Sequence, residues 1–389
     1  MVVYITINGG FEMSRYTWQT RDMLRSLGKL QRLMEKEKDP KEKARLMLYY
    51  DKMNATIYDS FIMRDVDIPL SKMMPSYFST FLDQQRYLNL TVPMECALIE
   101  HDELLNTAGN NRDSISDKIA KATGVHVTKE KAISICYDFY KELDEELFEH
   151  FKKFYDSRYN HLKFDKYKKG DDVPSWGTQY YLYGTNESFI KVVGSNDPMM
   201  TTSIIHEASH HIDSSMNPDN FISEDYFYEV ISLFMELVSF YKKAGGFDDL
   251  FYQDSVFFGF DVLCENIDDV NSYSNLLELY RDNNYHLCPE FYEQARKQYK
   301  MSKKAVNEAL SIGAFNSLCY PASASLAYYF FNIYKQDEKK GMEELKKFIK
   351  AKDRNEYIPL VLSDEVSKVV STEVKTLLTD ANECFLRHK

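Results

Sequence analysis

A chain of 389 residues, 44% hydrophobic and 28% charged, is long enough to bury a large core and too apolar to be disordered. Its formal net charge is −12 and its Lys-rich stretches (Lys36 to Lys43, Lys163 to Lys169, Lys339 to Lys350) are interleaved with acids, so nucleic acid is not expected as a partner. Only 14 Gly and 10 Pro punctuate the sequence, which argues against an all-β fold with its many tight turns and for long helices.

The six cysteines (Cys96, Cys136, Cys264, Cys288, Cys319 and Cys384) are far apart and form no CxxC pair. In a chain of this size they read as free thiols in a reducing compartment. The start, MVVYITINGGFEMSRY, has no basic stretch leading into an apolar run, so no secretory leader is expected. No run of about 18 apolar residues occurs either, so no membrane span is expected. The expectation is a cytoplasmic protein without membrane association; oligomeric state is left open.

After a strand-like start (Val2 to Thr6), Ser14 to Ser60 reads as two helices broken at Asp39-Pro40, with the proline in the first turn of the second. Helical patterns fill roughly 70–110 and 128–165. The loop Lys168 to Trp176 is the expected boundary between an N-terminal helical region, 1–170, and a catalytic region, 171–389. Gln179 to Tyr183 and Ser188 to Val193 read as a hairpin around Gly184-Thr185-Asn186. Asn196-Asp197-Pro198 opens a helix, since Asp197 can cap orphan amides while Pro198 needs no N–H at the first helical position. Another helix spans about Glu224 to Tyr241 and stops at Gly245-Gly246; the rest is helical with breaks near Asn283, Pro321, Gly341 and Pro359. The fold class is mainly α, with a small antiparallel sheet beside the helix that carries His206.

His206-Glu207-Ala208-Ser209-His210 matches H-E-x-x-H. On a helix, positions i and i+4 share a face, so both imidazoles can reach one ion, and the intervening Glu sits where it can take the proton of an activated water. A hydrolytic zinc site needs a third protein ligand. Downstream, Asp225, Glu229, Ser232, Glu236 and Ser239 form one polar stripe opposite Phe227, Val230, Ile231, Phe234, Leu237, Val238 and Tyr241. Glu229, 19 residues after His210, is the expected ligand and Glu236, seven further on, the alternative, because both share the stripe. Asp213 can orient His210, but a helix-surface salt bridge or a solvent position at the helix C-terminus is favoured. One zinc ion per chain is the expected cofactor.

The segment TTSIIHEASHH followed by EVISLFME resembles the zinc core of the thimet oligopeptidase and oligoendopeptidase F family, a Thr-x-x-HExxH helix followed by a Glu-x-x-Ser-x-x-x-Glu helix. Tyr320 to Ala327, and the stretch from Lys347 to Leu360, resemble that family's later segments. The resemblance covers roughly residues 180–365. It implies a zinc peptidase acting on small peptides, with His206, His210 and Glu229 as ligands and Glu207 as general base. Ser203 replaces the family's Thr and Ser209 its common Gly. No His precedes Tyr320 within Ser311 to Cys319, and Asn316 and Leu318 stand where tyrosines are often found. Tyr320 is therefore the expected oxyanion donor, with His286 as a more distant substitute. Ser188 to Val193 is the expected edge strand for the peptide backbone. Two other functions fit the same motif: hydrolysis of a non-peptide amide or ester, and a non-catalytic zinc-stabilised binding protein, against which Glu207 argues.

Overall fold

The computed structural model describes residues 18–47, 50, 84–156, 162–166, 176–182, 187–194, 196–217, 227–283, 288–303, 305–306 and 312–389. The expected strand at Val2 to Thr6, the centre of the boundary loop after Lys168, the hairpin turn at Gly184 and His286 lie outside the described residues.

Helix α1 (Trp18–Lys36) is followed by α2 (40–47), whose start is capped by Asp39: its Oδ1 accepts from the Lys41 amide at 2.8 Å and the Glu42 amide at 3.4 Å. Next come α3 (Gln84–Glu100), α4 (Asp102–Asp113), α5 (Ser116–Thr123), α6 (Lys129–Leu143) and α7 (Glu145–Asp156). Thr128 and Asp144 cap the last two, accepting from the Lys131 amide at 3.2 Å and the Glu146 amide at 3.0 Å. The expected helical pattern reaches residue 165, but Leu162–Lys166 is strand β1. Its Leu-Lys-Phe-Asp-Lys alternation has period two, too short a run to stand out beside a helix pattern.

The sheet is three-stranded, in order β1-β3-β2. Strands β2 (Trp176–Leu182) and β3 (Glu187–Gly194) form the expected antiparallel hairpin, with Gly177 opposite Val192 and Gln179 opposite Ile190. Strand β1 adds in parallel to the far side of β3. The expected edge, β3, is thus central and paired on both sides, and β2 is an edge.

Helix α8 (Pro198–Met216) opens at Asp197, whose Oδ1 accepts from the Met200 amide at 3.3 Å, with Pro198 in the first turn. It is buried nearly all round, lying against β2, β3, α6, α7 and the next helix, α9 (Val230–Tyr241). Helix α9 begins six residues later than the expected Glu224, with Phe227–Glu229 forming a turn ahead of it. Its apolar face, Phe227, Val230, Ile231, Phe234 and Val238, is at most 1% exposed, each such side chain contributing about 1.5–3 kcal/mol by leaving water. Tyr241, expected on that face, is exposed. The chain then leaves the helix through Lys243, Gly245 and Gly246 at positive φ, as the Gly-Gly pair anticipates.

Helices α10 (Asp249–Asp282), α11 (Pro289–Tyr299), α12 (Ile312–Gln336), α13 (Glu338–Lys350), α14 (Ile358–Val361) and α15 (Asp364–Arg387) complete the fold. Two expected breaks are absent. Pro321 lies inside α12, where burial of the surrounding turns outweighs one missing backbone bond, and Gly341 lies inside α13. A Cβ on Gly341 would meet the Tyr334 Cα at 2.4 Å, so this glycine is there for close contact between α12 and α13. Buried side chains from Leu90 to Phe385 form one contiguous cluster. No described helix is long and apolar enough to cross a membrane.

Candidate metal centre

Three ligand-type atoms converge between α8 and the start of α9. His206 Nε2 and His210 Nε2 are 3.2 Å apart, and each lies 3.2 Å from Glu229 Oε2. The helical spacing of the two histidines supplies one edge of this triangle, and the turn Phe227–Glu229 brings in the third corner. Tetrahedral zinc at about 2.0–2.1 Å from N and O ligands spaces those ligands about 3.3 Å apart, so the triangle has the size of one face of that polyhedron. Two imidazoles and a carboxylate are also a donor set that zinc takes readily. The residues present fit the ion.

Glu229 is well anchored. Its backbone amide donates to Ser323 Oγ at 3.2 Å, and the Ser232 hydroxyl donates to its Oε2 at 2.6 Å. Burial alone would raise the Glu229 pKa, but the adjacent His210 and His206 outweigh it and hold the carboxylate ionised, well below the ordinary range. Glu236 is not in the triangle. Its Oε1 is 2.8 Å from His206 Nδ1, so that nitrogen donates outward and Nε2 keeps its lone pair for the centre. Burial pulls against protonation of His206, yet the hydrogen bonds to Glu229 and Glu236 raise its pKa well above normal in the absence of an ion.

Glu207 is 5% exposed, and burial pushes its pKa up to about 7 against the opposing pull of His206 and His210. Its side chain lies against the backbone of β2: a Cβ on Gly177 would come within 2.4 Å of Glu207 Oε1 and Cγ. Tyr320 is half-buried; burial first, and then Glu229, Glu236 and Glu207, raise its pKa, so its hydroxyl stays protonated. Ser209 is fully buried and donates to the Ile205 carbonyl at 2.7 Å beside the Tyr140 hydroxyl at 2.8 Å, so its hydroxyl is satisfied.

Asp213 does not orient His210. Nor is it at the surface as expected: Asp213 is buried, and both its oxygens accept from Arg354, which is 1% exposed and lies over the Phe348 ring at 4.6 Å. The helix of Asp213 is covered by the segment after α13, a contact that no spacing within 200–241 announces. His211 is also internal, with Nδ1 2.6 Å from Ser188 Oγ and Nε2 3.2 Å from the His150 carbonyl. Sequence reading assigns no site role to the side chains of Gly177, Gln179, Tyr228 or Ser323, and Ser188 enters it only as the start of the expected edge strand. A glycine in an otherwise β-rich strand is the one signal that could have flagged the first of them.

No family model and no curated protein matches the chain. Among solved structures it is similar to a Bacillus anthracis strain Ames protein described as an oligoendopeptidase F, at 14% identity over 93% of this chain and 84% of the other, TM-score 0.49. It is also similar to a Chlamydophila abortus protein described as a peptidase, at 11% identity over 94% and 63%, TM-score 0.49. A third such structure is PZ peptidase A with an inhibitor, at 13% identity over 93% and 81%, TM-score 0.45. Likeness at this level assigns neither family nor activity.

Proposed function

We propose that the chain is a cytoplasmic zinc-dependent peptidase that cleaves small peptides, with His206, His210 and Glu229 holding the ion. The observation that carries this is the 3.2 Å triangle of two imidazole nitrogens and one carboxylate oxygen with the buried carboxyl of Glu207 beside it. A purely structural ion would not need that carboxyl. When bound, zinc would act as a Lewis acid toward the scissile carbonyl and make water more acidic. Glu207 then takes a proton from the attacking water and returns it to the leaving amine; a pKa of about 7 suits both transfers at neutral pH. Tyr320, held protonated, donates a hydrogen bond to the oxygen that gains charge. Strand β2, paired only with β3 among the described residues, offers its outer edge to an extended peptide next to Glu207. His210, Glu229 and Glu207 are each at most 6% exposed, which favours short, flexible substrates over folded proteins. The cytoplasmic placement is supported by the six cysteines, all free.

The test is metal analysis together with Glu207→Gln. Purified protein is expected to carry one zinc per chain and to cleave members of a peptide library. The Gln variant should keep the zinc and lose nearly all cleavage, because an amide cannot accept the proton. Zinc-free active protein, or a Gln variant as active as wild type, refutes the proposal.

A further inference from the structure

We propose that Tyr228 is a positioning residue for His210, holding the imidazole by ring stacking where His206 is held by a carboxylate; this rests on the metal reading above. The two histidines are supported differently. His206 Nδ1 has Glu236 at 2.8 Å. His210 Nδ1 is buried with no hydrogen-bond partner among the described residues, whereas a metal-bound histidine ordinarily donates its outer N–H to a carboxylate, carbonyl or water. With Nε2 at the triangle's corner, no polar group among the described residues fixes the outer side of this ring. What lies against it is Tyr228, its ring centroid 4.4 Å away and its plane within 13° of parallel.

Tyr228 is in turn tied to the sheet. Its hydroxyl donates to Gln179 Oε1 at 3.3 Å, Gln179 Nε2 donates to Ser188 Oγ at 3.1 Å, and Ser188 lies 2.6 Å from His211 Nδ1. The far end sets the direction of the chain. His211 Nε2 can only donate to the His150 carbonyl, so Nδ1 accepts from the Ser188 hydroxyl, which therefore accepts from the Gln179 amide. That leaves the Gln179 carbonyl oxygen for Tyr228. The circuit starts on the ring of His210, crosses β2 and β3, and returns to α8 at the next residue, His211. The second half of the HExxH turn is thus clamped to the sheet from both sides.

The experiment is a zinc titration against a chromogenic chelator, with thermal melting of the metal-free proteins. Tyr228→Leu removes stack and tether and is expected to weaken zinc binding about 10- to 100-fold, the range for losing a ligand's support. Tyr228→Phe keeps the ring and cuts the tether, for an expected loss of about 3- to 10-fold. A merely structural role predicts lower melting of the metal-free variants with zinc affinity unchanged. Zinc affinity of Tyr228→Leu within about threefold of wild type overturns the inference, as does a Phe variant as weak as the Leu variant. If the Leu variant does not fold, Tyr228→Met takes its place, removing the aromatic stack while filling the space, and zinc affinity within about threefold of wild type overturns the inference. Wild type that takes up no zinc defeats the metal reading itself; wild type that binds while Tyr228→Leu matches it defeats this inference alone.

Discussion

Replacing Gly177 with alanine tests whether strand β2 sets the position of the proposed base. The new Cβ would stand 2.4 Å from Glu207 Cγ and Oε1 and 2.7 Å from Cδ, about 1 Å inside ordinary van der Waals contact. One of the two must move. Gly177 is paired with Val192 in the hairpin, so its backbone is the stiffer partner. Glu207 is 5% exposed and cannot swing into solvent. Overpacking of this kind costs about 1–3 kcal/mol in stability, and a displacement of about 1 Å at a reacting group costs on the order of 100-fold in rate. Gly177→Ala is therefore expected to keep its zinc, melt a few degrees lower, and lose about 100-fold in kcat/KM on a fluorogenic peptide that wild type cleaves. The ligand triangle does not touch Gly177, so unchanged metal content separates a misplaced base from a damaged centre. Activity within about threefold of wild type, with zinc bound, refutes the argument that this strand places Glu207.

Glu229 and Glu236 separate by role: Glu229→Ala should abolish zinc binding, whereas Glu236→Ala should weaken it about 10- to 100-fold by freeing His206, and the reverse order in a chelator competition would make Glu236 the ligand. Tyr320→Phe should lower kcat and kcat/KM together by about 10²- to 10³-fold with KM little changed, and a loss under about threefold removes it as the donor. His211, whose pKa burial pushes down to about 4 from an ordinary 6.5, is neutral when folded and takes up a proton on unfolding below pH 6.5. Stability from this group is complete above pH 6.5 and is lost as pH falls toward 4, by about 3 kcal/mol. Urea unfolding of metal-free wild type and His211→Gln should show their difference shrinking over that window, and parallel curves would refute it.

How far the sequence carried depended on the distance between interacting residues. The helices α6, α8, α9 and α10, the hairpin and the stop at Gly245-Gly246 rest on caps, periods and turn residues a few positions apart, and those signals are local. The failures are at places where a remote partner decides. Gly341 looks like a helix end until α12 is brought within a Cβ's reach of it, and Pro321 like a break until the turns around it are buried. The order of strands was not legible because β1 joins β3 from 28 residues before its partner in the register, Leu162 to Ile190, and nothing in either segment encodes that pairing.

The centre divides in the same way. His206, Glu207 and His210 are one helical turn, so spacing alone placed them together, and the polar stripe of α9 narrowed the third corner to two residues. Choosing between Glu229 and Glu236 needed the turn before α9, since that turn sets which carboxylate meets both imidazoles. The supports lie further off. Ser323, Gly177, Gln179 and Ser188 reach the centre from α12 and the hairpin, and each is a small or uncharged residue with no chemistry to advertise in isolation. A ligand set is constrained by the ion to a few residue types at close spacing, whereas its supports need only one polar atom or one missing side chain. The residues proposed to hold the ion are therefore readable from the sequence where the groups that orient them are not, and tests of Gly177 and Tyr228 probe what only the fold reveals.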